Sequence, residues 1–291
     1  MTGTLPIESF ERERRRLFTV AYGLLGSSTD AEDVVQDAWL RWRDKASEVK
    51  EPAAWLTTVT SRLALDRLRS ARVKRETYPG TWLPEPIVEA PSAESKLLEK
   101  SGLSLAFLFL LERLGPEERA AFVLREVFDH SYREIGDSLG KSEDACRQLV
   151  KRAKERVHSG RTREAVDREE FDRVVSGMLD AIQEGDEAKL IASLAPEAVL
   201  YGDGGGKVPS IAKPLEGRER IVRFFMGLRR KFGEYAFERV NVNGEPGILA
   251  LHDGLPYAAV SYWVENGRVS QLFNVLNPDK LAGIHLAPRT R

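Results

Sequence analysis

The sequence predicts a multidomain chain in which two all-α domains, a three- to four-helix bundle and then a helix-turn-helix, are followed by an α+β domain. Three observations carry this. Apolar residues recur at helical spacing up to about residue 160; Pro79, Pro84, Pro86 and Pro91 interrupt the pattern; and beyond Asp167 helices give way to short apolar runs with strand alternation. The expected division is residues 1–77, a Pro-rich linker over 78–93, residues 94–160, and residues 161–291. A chain of 291 residues, 42% hydrophobic and 31% charged, has enough apolar material for a core in each.

In the first domain Leu17, Phe18, Ala21, Tyr22 and Leu25 form one helical stripe, and Gly26 ends it. The stretch "SSTDAED" supplies a cap and first-turn acids for the next helix, whose stripe is Val34, Val35, Ala38, Trp39 and Trp42. A loop containing Pro52 leads into a long basic helix from about Ala53. In the linker, Trp82, Leu83 and Ile87 are more apolar than a passive tether requires, which favours docking on a neighbouring domain. Residues 131–157 read as a helix packed by Tyr132, Ile135 and Leu139, a turn at Gly140, and a second helix capped by Ser142. Rotating that second helix by about 100° per residue gathers Ala145, Cys146, Leu149, Val150, Ala153 and Val157 on one side. Asp144, Arg147, Gln148, Lys151 and Glu155 fall opposite, flanked by Arg152 and Lys154.

From Asp167 the reading is an amphipathic helix (Phe171 to Ile182), a short one near Glu187 to Leu194, and a third over Arg218 to Lys231. Four strand-like runs follow, "YAFERVNV", "GILALHD", "YAAVSYWVE" and "RVSQLFNVL", with Asn266-Gly267 as a hairpin turn between the last two. Helices on one face of a curved antiparallel sheet, enclosing a cavity, are expected.

The net charge of −1 hides a segregation of sign. Asp30, Glu32, Asp33 and Asp37 form an acidic run; Arg62, Arg67, Arg69, Arg72, Lys74 and Arg75 form a basic one against Asp66 alone. Such alternation points to separate surfaces for separate partners. No apolar run approaches the roughly 18 residues that cross a bilayer, the N-terminus carries charges where a signal peptide is apolar, and a cytoplasmic location is expected. Cys146 is the single cysteine, so neither an internal disulfide nor a cysteine-based zinc site is expected, and no metal or cofactor is assigned.

The segments "GSSTDAEDVVQDAWLRW" and "WLTTVTSRLALDRLRSARVKRE", followed by the helix-turn-helix, resemble the extracytoplasmic-function (ECF) sigma factors over about residues 8–160. "WLPEP" (82–86), "DGGGK" (203–207) and "NPDKL" (277–281) resemble the subgroup that fuses sigma regions two and four to a cone-shaped SnoaL-like domain. The resemblance implies that Asp33, Gln36 and Asp37 contact the polymerase β′ clamp, that core polymerase is also met at its β flap, and that the loop from Lys45 to Ala54 takes a base flipped from the minus-ten element. It implies backbone contacts there from Arg62 through Arg75, and major-groove contacts of Asp144, Arg147, Gln148, Lys151 and Arg152 at the minus-thirty-five element. Arginine and glutamine suit guanine and adenine edges, and lysine suits phosphate.

Three consecutive glycines, Gly204 to Gly206, raise the question of a phosphate loop. Lys207 is followed by Val208 and Pro209, no glycine stands five residues before Gly206, and the magnesium-binding hydroxyl is missing. A contact loop fits better: glycines permit close backbone approach while Asp203 and Lys207 offer charge. The expected interdomain regulatory set is Trp82, Leu83 and Pro84 with Asp203, Gly204, Gly205, Gly206 and Lys207, and with Asn277, Pro278, Asp279, Lys280 and Leu281. Ordinary turn chemistry at Asn277-Pro278 is an alternative for the last five. A small ligand in the C-terminal cavity stays open, as do a DNA-binding regulator that works without polymerase and a cavity enzyme using His252, Asp253 or His285. No matched acid-base constellation is present, and no catalytic residue is assigned.

Overall fold

A computed structural model describes residues 6–89, 100–158, 168–231 and 235–284. The chain forms two compact units. One comprises Met1–Thr77, Lys100–Leu103 and Phe107–Thr162; the other comprises Tyr78–Glu99, Ser104–Ala106 and Arg163–Arg291.

The first unit is helical: α1 (Pro6–Leu25), α2 (Ser28–Lys45), α3 (Pro52–Glu76), α4 (Leu105–Leu111, from Phe107 on), α5 (Pro116–Phe122) running into a π-helical turn at Val123–Val127, α6 (Tyr132–Leu139) and α7 (Glu143–His158). Gly26, at φ 65°, closes α1, and Ser27 caps α2 by accepting the Asp30 amide at 3.1 Å. Phe10, Leu17, Val35, Trp42 and Leu56 form a buried cluster that joins the first three helices. The Trp42 indole N–H donates to the Pro6 carbonyl at 2.8 Å, so the largest buried ring has its one polar atom satisfied. In the helix-turn-helix, Ser131 and Glu134 make a reciprocal capping box at the start of α6. Gly140 ends α6 in the left-handed region, and Ser142 caps α7 through the Ala145 amide at 3.3 Å.

The second unit carries α8 (Arg168–Glu184), α9 (Glu187–Ser193), β2 (Leu194–Asp203), β3 (Leu215–Glu216), α10 (Arg218–Lys231), β4 (Ala236–Val242), β5 (Glu245–His252), β6 (Leu255–Glu265), β7 (Arg268–Val275) and α11 (Pro278–Leu281). The linker contributes β1 (Val88–Glu89), and the sheet order is β1-β4-β5-β6-β7-β2-β3. Two-residue turns at Asn243-Gly244, Asp253-Gly254 and Asn266-Gly267, with both residues at positive φ, join β4 through β7 as hairpins. Phe171, Met178, Leu190, Met226, Tyr262 and Leu272 are among the side chains that fill the space between the helices and one sheet face.

The sheet differs from the antiparallel expectation at β2, which runs parallel to β7 from Val199↔Gln271 to Asp203↔Val275. The α10 connection and four intervening strands separate the two in sequence, and a long crossover of this kind is what parallel pairing requires.

Candidate functional site: two charged helices and a linker clasp

On α2, Asp33, Gln36, Asp37 and Leu40 are exposed, while Val34, Val35, Ala38 and Trp42 turn inward. Their spacing puts the four on one open stripe, with Leu40 among the few large apolar side chains left in solvent. Gln36 and Asp37 lie free of ion pairs among the described residues, whereas Asp33 accepts from Arg67 at 2.6 Å. Arg67 also meets Asp30 at 2.8 Å. Burial opposes that guanidinium's charge, yet the two carboxylates together hold its pKa above the ordinary value. The acidic and basic segments, expected as separate surfaces, are thus tied together by Arg67.

The rest of the basic row also has partners. Arg62 donates to the carbonyls of Asp137 and, at 3.2 Å, Ser138 at the end of α6. Arg69 pairs with Glu117 at 2.9 Å and with Asp66 at 3.2 Å, and Arg72 reaches the Leu114 carbonyl at 3.5 Å. Arg75 lies deepest, bound to Glu112 at 2.5 Å and to the Leu25 carbonyl at 2.6 Å. Glu112 binds the fully buried Arg119 through its other oxygen. Burial would raise the Glu112 pKa, but Arg119 and Arg75 hold it below the ordinary carboxylate value. Burial, with Arg119 adding to it, lowers that of Arg75. Only Lys74 of the six predicted cations is exposed with no such contact among the described residues. Carbonyls and carboxylates of the α4 to α7 segment thus meet Arg62, Arg69, Arg72 and Arg75, while α2 carboxylates meet Arg67. A cavity of about 220 Å³ opens beside Arg72, Arg75, Glu112 and Arg119.

On α7, Asp144, Arg147, Gln148, Lys151, Arg152 and Glu155 are exposed, and Cys146, Leu149, Val150 and Ala153 are buried. Arg152 and Arg156 both approach Glu118, at 3.4 and 2.5 Å. The loop before α3 is short, with Lys45 paired to Glu48 at 2.8 Å in solvent.

In the second unit the three motifs converge on Asp203, whose side chain has no exposure. Alternation along β2 turns Asp203 away from the sheet face that carries Leu200 and the helices. Its Oδ1 accepts from the Tyr78 hydroxyl at 2.6 Å and the Gly205 amide at 3.0 Å. Its Oδ2 accepts from the Leu83 amide at 2.9 Å and Lys280 Nζ at 2.7 Å. Lys280 also donates to the Leu83 carbonyl and lies 4.2 Å from the centre of the Trp82 ring. Asn277 donates to the Tyr78 hydroxyl at 2.8 Å, and Lys207 pairs with Asp279 at 2.6 Å.

The glycines explain themselves here. Gly205 and Gly206 have φ of 62° and 69°; a Cβ on the first would collide with the Asn277 amide, and on the second would stand 2.8 Å from Pro79. Burial, then the bond to Asp203, push the Tyr78 pKa well above its ordinary value. Leu83 is fully buried, and Pro84, Glu85 and Pro86 are buried beside it in sequence.

Sequence reasoning missed Tyr78, and it missed Asn243, whose side-chain oxygen accepts from the Ile87 amide at 3.0 Å while its backbone N–H donates to the Ile87 carbonyl at 2.8 Å. Asn243-Gly244 was the available signal. His252 and Asp253 sit at a hairpin turn, 3.9 Å apart, with side chains 43% and 87% exposed. His285 lies outside the described residues.

An open acidic stripe on one helical bundle, a helix-turn-helix, and a fused α+β domain that holds the intervening linker define a sigma factor of the ECF class. Residues 9–73 match the Sigma-70 region 2 family and residues 104–157 match Sigma-70, region 4. The chain belongs to the ECF RNA polymerase sigma factors: it is 39% identical to the ECF RNA polymerase sigma factor SigJ of Mycobacterium tuberculosis, across 98% of this chain and 96% of that one. The crystal structure of SigJ superposes with a TM-score of 0.79 at 36% identity, covering 97% of this chain and 100% of the other. A probable ECF sigma factor SigI from the same species is 27% identical over 94% of this chain and 93% of its own. The C-terminal domain accordingly shares the α+β fold of that crystal structure.

Proposed function

We propose that this chain recruits core RNA polymerase to promoters in the cytoplasm and that its C-terminal domain controls it in cis through the linker. The observation that carries the proposal is the contrast between two surfaces of the helical unit. The α2 stripe of Asp33, Gln36, Asp37 and Leu40 is open, whereas Arg62, Arg69, Arg72 and Arg75 of α3 are engaged by the α4 to α7 segment. A chain built this way meets the polymerase clamp first. Promoter contact by α3 requires the helix-turn-helix to move off, so DNA binding is coupled to core binding as a population shift. The contact is separable, because it is made of exchangeable ion pairs and carbonyl bonds beside a cavity.

In the open form the six α3 cations would hold the melted strand, the loop from Lys45 to Ala54 would receive an unstacked base, and Arg147, Gln148 and Lys151 would enter the major groove upstream. Asp203, Lys280 and Tyr78 act on the same equilibrium from a distance by fixing the path of residues 78–89. This reading assigns the chain no catalysis: His252, stacked on Tyr235 with ring centroids 4.9 Å apart, and the exposed Asp253 sit at a hairpin turn.

The test is transcription with purified core polymerase on a promoter selected with full chain plus core, comparing the full chain with versions ending near residues 160 and 278. The expected result is promoter-dependent initiation by the full chain and a changed rate on truncation. No initiation from any version would overturn the proposal. Copurification with core that survives Asp37→Arg would remove the α2 stripe from it.

A further inference from the structure

Arg147 is not a freely moving side chain on the exposed face of α7. Its Nη1 donates to Asp144 at 2.7 Å and its Nη2 to Glu143 at 3.2 Å. Its guanidinium carbon lies 5.2 Å from the centre of the Tyr132 ring, at the start of α6. Arg125 lies at the same distance from that ring and is itself anchored, donating to the His130 carbonyl at 2.8 Å. Tyr132 is half-buried, so the ring is fixed by the fold, and the two acids come from the turns of α7 that precede Arg147.

Guanidinium groups recognise guanine by two parallel N–H bonds to O6 and N7, which demands a fixed plane. Arginine carries five N–H donors, and Glu143 and Asp144 use one each, so donors remain for a base edge. A free arginine would as readily turn to a phosphate, which carries no sequence information. Holding the plane on Tyr132 and the two carboxylates removes that choice, and the fixed negative charges beside Arg147 disfavour a swing toward the DNA backbone.

We infer that Tyr132 is a positioning residue for promoter specificity: it sets the plane of Arg147 so that this side chain reads a single guanine in the upstream promoter element. The inference rests on the proposed entry of α7 into the major groove.

The experiment uses holoenzyme assembled from the full chain and core polymerase, and a pool of duplexes randomised over the upstream element ahead of a fixed, premelted downstream element. The wild-type holoenzyme should enrich one guanine by about tenfold or more over the other bases, in keeping with the discrimination one bidentate contact supplies. Arg147→Ala should abolish that preference. Tyr132→Leu, which keeps apolar bulk but removes the aromatic face, should reduce it several-fold while leaving preferences at other positions intact, and Tyr132→Phe should restore it. Retention of the full guanine preference by Tyr132→Leu, with loss in Arg147→Ala, would overturn the positioning role alone. A pool from which the wild type enriches no base would overturn the placement of α7 in the groove, and the inference with it. Loss of preference at every position in both Tyr132 variants would mark the ring as structural only, and would equally overturn it.

Discussion

Asp203 concentrates the chemistry of the C-terminal unit in one side chain: four donors converge on a carboxylate with no exposure, and three of them belong to the linker or to Lys280. Removing one partner of a buried pair strands the other, at a cost of about 3 kcal/mol or more. Asp203→Asn is therefore expected to destabilise the unit by about 3 kcal/mol in urea unfolding. Lys280→Met should cost at least as much, since it leaves the fully buried Asp203 carboxylate without its cation. Protonation adds a second prediction. His130, 3.2 Å from Arg16, has its pKa lowered by burial and then by that guanidinium, and Glu112 has its pKa lowered by Arg119 and Arg75 against the effect of burial. For both groups the unfolded chain takes up the proton first as pH falls, so stability is full above the ordinary values of 6.5 and 4.5 and declines below each in turn. Unfolding midpoints measured from pH 7.5 to 4 should fall in two stages. His130→Gln should remove the first stage, and Glu112→Gln should shrink the second, to which Glu117 and Glu134, also with lowered pKa values, contribute.

Among the elements, the helix-turn-helix depends on a close approach that the sequence did not advertise. Gly140 was the visible turn glycine, but a Cβ on Gly136 would stand 2.6 Å from the Lys141 carbonyl, a backbone atom that cannot step aside cheaply. Gly136→Ala should cost about 2 kcal/mol, within the range for overpacking, and should lower promoter binding by the holoenzyme, whereas Gly177→Ala, with open space around its Cβ, should change neither. The helices were legible because burial repeats every three to four residues, and the α7 faces read by rotation agree with the burial of Cys146, Leu149, Val150 and Ala153 and the exposure of Asp144, Arg147, Gln148, Lys151 and Glu155. Strand β2 was not legible. Pro196 and Glu197 break its alternation, its register slips between Leu194 and Val199, and its inner and outer faces are both largely buried. The two residues of β1 are too few to carry any periodic signal.

For the whole molecule, the sequence showed that the charges were segregated but not which charges meet. Asp33 finds Arg67, Glu117 finds Arg69 and Glu112 finds Arg75 across 34 to 48 residues. The packing of α3 against α2 and against the segment from Glu112 to Glu117 creates those pairs, and spacing along the chain does not reveal it. The three linker and C-terminal motifs could be singled out as contact segments, yet the carboxylate at their centre was one of thirteen residues named without rank. The proposed coupling of DNA binding to core binding gives a test at this scale. Glu117→Lys replaces the shared partner of Arg69 and Lys141 with a like charge. It should raise binding of the core-free chain to promoter duplex by about tenfold, read by fluorescence anisotropy at one fixed salt concentration. An unchanged affinity would mean that the α3 cations are not withheld from DNA by these contacts.

The linker strand has a consequence of length. From Thr77 to Lys100 a fully extended chain could reach roughly 75 Å. Holding Tyr78 through Glu89 on the C-terminal sheet withdraws a contour of roughly 40 Å from that reach. On the proposed reading the fused domain would act as a reel on the cord between regions two and four: the number of residues it winds in would set the farthest separation those regions could attain, whatever they bind.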